Sequence, residues 1–219
     1  MELFLNDSLG QITLEVEEAD NARAVIIIAH GAGAGMHHPF MTSISGLFVA
    51  RGFHVARFNF PYMENGKKFP GAPKPNIETW GLVIDYLCVT YPDLPIIISG
   101  KSYGGRMASH LLADQSPAAV KGIFYLGFPL HAAGKDSKAR ATHLNAVQVP
   151  QLFLQGINDQ LANIDLMREV LSSLPAARML EVEFGDHSFK VPKASGRTSK
   201  EVMHQLVEVT TEWIDTVLK

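Results

Sequence analysis

The sequence predicts an α/β fold: a doubly wound, mostly parallel β-sheet flanked by helices. Three observations point to it. Val25-Ile26-Ile27-Ile28 is a continuous β-branched run followed at once by Gly31 and Gly33. Such runs fit strands covered on both faces, as in a parallel sheet. The same pattern then recurs along the chain, a short apolar run ending in glycine or proline and an amphipathic stretch after it, which reads as successive βαβ units. Finally, 219 residues suit one domain spanning 1–219, a size that buries roughly 70% of its unfolded surface without covalent staples.

The elements follow in order. Leu3-Phe4-Leu5 and the alternating Ile12-Thr13-Leu14-Glu15-Val16 predict an opening hairpin around Asn6-Asp7-Ser8. After the Val25 run, Phe40, Ile44, Leu47 and Phe48 recur at helical spacing, and Phe53 to Phe58 forms the next apolar run. Pro61 to Pro75 holds four prolines and the pair Lys67-Lys68, which predicts a loop without regular structure. Asn76 is placed as the cap of a helix carrying Ile77, Trp80, Val83, Ile84, Leu87 and Tyr91 on one face. Ile96 to Ile98, Gly122 to Leu126, Leu152 to Leu154 and Met179 to Val182 complete the strands. Residues 131–148 form a connection longer than usual and are expected to act as a small lid. The last helix opens with the capping-box pattern Thr198-Ser199-Lys200-Glu201 and aligns Val202, Leu206, Val209, Trp213 and Val217.

Composition excludes several functions. A net charge of -3 argues against nucleic-acid binding and against a basic membrane-surface patch. The lone Cys88 allows neither an intramolecular disulfide nor a multi-cysteine metal site. His37 and His38 are adjacent rather than one helical turn apart, so no metal site is expected. Met1 to Asp7 carries no basic leader, and the longest apolar run, Ala24 to Ala29, is far too short to span a membrane. The expectation is a soluble cytoplasmic protein. Its oligomeric state is left open.

Ligands of open parallel sheets bind beyond the carboxyl ends of the strands. Three chemically capable groups fall there. Ile96-Ile97-Ile98 leads into Ser99-Gly100-Lys101-Ser102-Tyr103-Gly104-Gly105, a G-x-S-x-G centred on Ser102. Such a serine sits on a strained strand-to-helix turn, and the glycines let strand and helix approach. Asp159 follows the Leu152 strand in Gln155-Gly156-Ile157-Asn158-Asp159, and His187 follows the last strand in Gly185-Asp186-His187-Ser188. The Val25 strand leads into His30-Gly31-Ala32-Gly33-Ala34-Gly35, which lacks the lysine and spacing of nucleotide-binding loops. It suits instead one of the two backbone donors that acyl transfer requires. The Ala32 and Tyr103 amides are assigned to that oxyanion hole.

The order Ser102, Asp159, His187 is that of the α/β-hydrolases, and the chain resembles a serine α/β-hydrolase over nearly its whole length. More narrowly, it is similar to a compact branch that includes dienelactone-hydrolase-like bacterial proteins and the hydrolase-like domain of NSL complex subunit 3. The match rests on His30-Gly31-Ala32-Gly33, His38-Pro39-Phe40-Met41, Phe60-Pro61-Tyr62-Met63, Gly100-Lys101-Ser102, Gly127-Phe128-Pro129-Leu130-His131, Gln155-Gly156 with Asp159, and Gly185-Asp186-His187. The resemblance implies a core with little or no cap, Ser102 as nucleophile, His187 as base and Asp159 as orienting acid. True dienelactone hydrolases carry cysteine at the elbow, so a dienelactone substrate is not implied.

The expected activity is cleavage of a small-molecule carboxylic ester or thioester, with no cofactor. Asp186 and Asp136 are the alternative acids. Tyr62, Met63, Phe128 and Phe69 are either pocket wall or core, and His131 is a candidate substrate contact. His30 braces the glycine loop; His37 and His38 line the pocket or cap the helix after Pro39. Lys101 packs or hydrogen-bonds near the elbow, or else biases the pocket toward anions. The rival readings are a catalytically silent binding or scaffold module and another acyl-transfer enzyme, a peptidase or acyltransferase.

Overall fold

A computed structural model describes residues 1–219. Eight strands form one sheet: β1 (Glu2–Asn6), β2 (Gly10–Glu17), β3 (Val25–Ala29), β4 (His54–Phe58), β5 (Ile96–Lys101), β6 (Val120–Leu126), β7 (Gln151–Gly156) and β8 (Ala177–Val182). Their order is β1-β2-β4-β3-β5-β6-β7-β8. The predicted hairpin pairs β1 with β2, and β2 runs antiparallel to β4; every other pairing is parallel. The helices are α1 (Pro39–Val49), α2 (Pro61–Glu64), α3 (Pro73–Thr90), α4 (Tyr103–Asp114), α5 (Ile164–Ser172) and α6 (Ser199–Val217). No helix is long and apolar enough to cross a membrane.

The period-2 geometry of β3 explains its unbroken apolar run. Val25, Ile27 and Ala29 face a core shared with Trp80 of α3 and Met107 of α4. Ile26 and Ile28 face the other core, with Phe48 of α1 and Trp213 of α6. Both faces are dry, so each isoleucine contributes roughly 1.5–3 kcal/mol of apolar burial.

Two local expectations need correction. Pro61–Pro75 is not free of regular structure: Pro61 starts α2 and Pro73 starts α3. Proline fits the first helical turn, where its missing N–H has no intrahelical partner in any case. Asn76 is therefore not a cap. It lies inside α3, nearly fully buried, and its side-chain amide donates to the Tyr103 hydroxyl at 2.8 Å. The capping box at Thr198 and Glu201 is present as expected.

The 131–148 segment makes two short 3₁₀ turns, Ala139–Ala141 and Leu144–Ala146. Ala141, Leu144 and Val147 are buried in the α3/α4-side core. His143 Nε2 lies 2.8 Å from the Ser109 hydroxyl of α4. Residues 141–147 are thus packed against α4, while 132–139 are exposed, and the molecule has no evident cap.

Glycines set the closest approach in the sheet. A Cβ on Gly100 would overlap the Gly105 amide nitrogen, and one on Gly104 would lie 2.6 Å from the His30 carbonyl oxygen. The obstructing atoms are backbone and cannot move aside cheaply. Gly100→Ala is expected to lower Tm by roughly 2–12 °C, the range for an overpacked core in a chain of this size. An unchanged melting curve would show that α4 does not need this contact.

Candidate active site

β5 delivers Ser102 to the start of α4. Its φ of 51° and ψ of -112° form a sharp elbow that a non-glycine residue adopts only under strain, at a cost of about 1–3 kcal/mol. The surroundings hold it there. The Ser102 amide donates to the Leu126 carbonyl at 3.1 Å, and the Trp80 indole donates to the Gly104 carbonyl at 3.1 Å.

Gly156 and Gly185 bring the other two groups to the serine. A Cβ on Gly156 would overlap the Gly185 carbonyl oxygen, so the chain leaving β7 presses directly on the loop after β8. Asn158 N–H bonds the Gly185 carbonyl at 2.8 Å, and Ile157 N–H bonds Val182 at 3.1 Å. As a result His187 Nε2 stands 2.8 Å from Ser102 Oγ, and His187 Nδ1 stands 2.7 Å from Asp159 Oδ2.

Asp159 is 5% exposed, and its oxygens accept two further bonds, from Gln155 Nε2 at 2.6 Å and the Leu161 amide at 2.7 Å. Gln155 is itself fixed, because its carbonyl oxygen accepts the Phe128 amide at 2.9 Å. The alternative acids sit elsewhere. Asp186 accepts the Ser188 and Lys190 amides within its own loop, and Asp136 bonds the Asn163 side chain.

The glycine loop abuts the elbow: a Cβ on Gly31 would lie 3.6 Å from Ser102 Cβ. Neither the Ala32 nor the Tyr103 amide has a hydrogen-bond partner within the protein. His30 braces this loop. It is fully buried, accepts the Phe60 amide at Nε2 (3.1 Å) and has Nδ1 2.8 Å from the Gly31 carbonyl. Burial pushes its pKa down to about 4, so the ring is neutral and can both accept and donate. His38 takes the capping role, accepting the Phe40 amide.

Two of the candidate substrate contacts, Phe128 and His131, have structural roles. Phe128 is fully buried, edge-on to Tyr125 and Phe153, and so belongs to the core. His131 is 3% exposed; Nδ1 faces the Ala132 carbonyl and Nε2 accepts the Asn163 amide at 2.7 Å. Both nitrogens are used, so it supports its loop rather than reaching a substrate. Phe69 is 82% exposed and forms no wall. Tyr62 and Met63 remain beside the glycine loop: Tyr62 packs edge-on to His30, and Met63 Cε would lie 3.5 Å from a Cβ on Gly35.

Sequence reading did not foresee the role of Gln155 in holding Asp159. Its signal was a polar residue inside an otherwise apolar strand, a placement that requires a buried partner. A surface concavity of about 450 Å³ beside Leu14, Val16, Tyr86 and Tyr91 includes none of these site residues.

Comparison with known proteins places this geometry in context. A family model described as an alpha/beta hydrolase domain matches residues 22–215. Among solved structures, an alpha-beta serine hydrolase homologue from Coxiella burnetii superposes with a TM-score of 0.76 at 17% identity, covering 95% of this chain and 96% of that one. A serine hydrolase without a lid from Xanthomonas campestris gives 0.75 at 18%, covering 97% and 94%. A dienelactone hydrolase from Anabaena variabilis gives 0.76 at 16%, covering 100% and 99%.

Proposed function

Because the chain belongs to the alpha/beta hydrolase domain family, we propose that it is a serine hydrolase cleaving a carboxylic ester or thioester of a small molecule. The observation that carries this reading is the unbroken hydrogen-bond chain from Ser102 through His187 to Asp159, with steps of 2.8 and 2.7 Å.

Ser102 Oγ attacks the acyl carbon while His187 Nε2 takes its proton. The carbonyl oxygen becomes an oxyanion, which the Ala32 and Tyr103 amides receive. Each such donor is worth roughly 2.7–4 kcal/mol in comparable sites. Collapse expels the alcohol or thiol, and His187 returns the proton to it. Water, deprotonated by the same imidazole, then releases the acid and restores Ser102. Asp159 holds the ring so that Nδ1 carries the hydrogen and Nε2 faces the serine, and it stabilises the imidazolium. Tyr62 and Met63, beside the glycine loop, are the side chains we assign to contact with the acyl group.

A fluorophosphonate probe tests this directly. Wild type should label and Ser102→Ala should not. Equal labelling of the two would overturn the reading in favour of a non-catalytic binding module. A panel of esters of increasing acyl length would then define the preferred substrate.

A further inference from the structure

Lys101, the last residue of β5, immediately precedes Ser102 and sends its side chain toward the loop after β8. Its ammonium Nζ donates to the His187 carbonyl oxygen at 2.7 Å. This is the only backbone hydrogen bond that His187 makes: its carbonyl has no other donor and its amide is unpaired. The ammonium also lies 5.6 Å from the centre of the Phe189 ring. Gly127, at φ +73°, leaves the necessary room, since a Cβ there would stand 3.2 Å from Nζ and 3.3 Å from the His187 oxygen. The charged groups that face Nζ are Asp159 beyond β7 and Asp186 in the histidine loop.

The loop is anchored on either side of the base, by the Asn158 amide on the Gly185 carbonyl and by the buried Phe189, but the His187 backbone itself has no other tie. Phe184 and Phe189 both have positive φ, at 58° and 60°, so the segment is strained at either side of the base. Within the loop, the backbone amide hydrogen bonds of residues 186–190 close on Asp186 and Lys190 and fix its shape, and none of them reaches β5, which carries Ser102. A displacement of about 1 Å between catalytic groups can cost on the order of 100-fold in rate.

We propose that Lys101 is a positioning residue, whose ammonium ties the backbone of the base to the strand that carries the nucleophile. The inference rests on the serine-hydrolase reading above. A charge-assisted bond of this kind is roughly twice as strong as a neutral one. Burial pulls the Lys101 pKa down to about 8, against the opposing pull of Asp159 and Asp186. The ammonium is therefore present below about pH 8 and lost above it. The tie weakens on the alkaline side, and turnover should fall there.

The test measures kcat and KM for 4-nitrophenyl acetate, together with the rate of fluorophosphonate labelling, from pH 6 to 10. Wild type should show an alkaline decline centred near pH 8. Lys101→Arg keeps a donor that does not deprotonate in this range, so its decline should move to higher pH or vanish. Lys101→Met should lose about 100-fold in kcat with KM nearly unchanged. A Lys101→Met variant with wild-type kcat, or a Lys101→Arg variant with the wild-type alkaline limb, would overturn the proposal. If the methionine variant does not fold, the comparison of wild type with Lys101→Arg still decides. A wild type that neither labels nor turns over the ester refutes the hydrolase reading itself, whereas a labelling wild type that shares its limb with the arginine variant refutes only the role of Lys101.

Discussion

His187→Ala is expected to lower kcat on an activated ester by up to about a million-fold, as far as Ser102→Ala does, and the double variant should fall no further. The reason lies in the shared 2.8 Å contact between His187 Nε2 and Ser102 Oγ. A serine hydroxyl is a poor nucleophile until a base removes its proton, so either loss disables the same step. What survives is transition-state binding by the Ala32 and Tyr103 amides, which elsewhere leaves roughly 10³–10⁴-fold over the uncatalysed rate. Steady-state kinetics of the two single variants and the double variant decide the point. Losses that add on a logarithmic scale would mean that the two residues act independently.

Asp159→Asn should cost about 10⁴-fold in kcat while the protein stays folded. The local hydrogen bonds explain why this near-isosteric change is severe. Asp159 Oδ1 receives the Leu161 amide, and Oδ2 receives both Gln155 Nε2 and His187 Nδ1. Every neighbour is a donor. An asparagine must turn its own NH₂ toward one of them, and facing His187 it would favour the wrong tautomer. Asp136, bonded to Asn163 outside this network, is the control. Asp136→Asn should retain kcat within a few-fold. If it falls like Asp159→Asn, or if Asp159→Asn stays near wild type, the acid is misassigned.

Much of this arrangement was legible from the residues. The β3 run announced a strand with two dry faces. Ser102, Asp159 and His187 could be found because each follows an apolar run, in an order that narrows the fold. The misses share one cause. Pro73 looked like a helix breaker because local pattern does not say which turn of a helix it occupies. Phe128 and His131 stood beyond a strand end, where substrate contacts belong, but the turn at Gly127 sends Phe128 inward and His131 onto the Asn163 amide. Which way a side chain points after such a turn depends on partners distant in the chain. The same holds for Lys101 and Gln155, whose roles exist only once β5, β7 and the histidine loop lie side by side.

The close approach of Gly156 to the Gly185 carbonyl also bears on which part of the chain completes the chemistry. Ser102 and His187 are separated by 85 positions, and nothing local brings them together. Loop closure over that span must be completed by docking β8 at the sheet edge, beside β7. Ser102 lies before the middle of the chain, at the end of β5, whereas His187 follows β8, the final parallel strand. On the proposed reading, a sheet without β8 therefore carries a serine that has no base, and the reactive site is completed together with the fold.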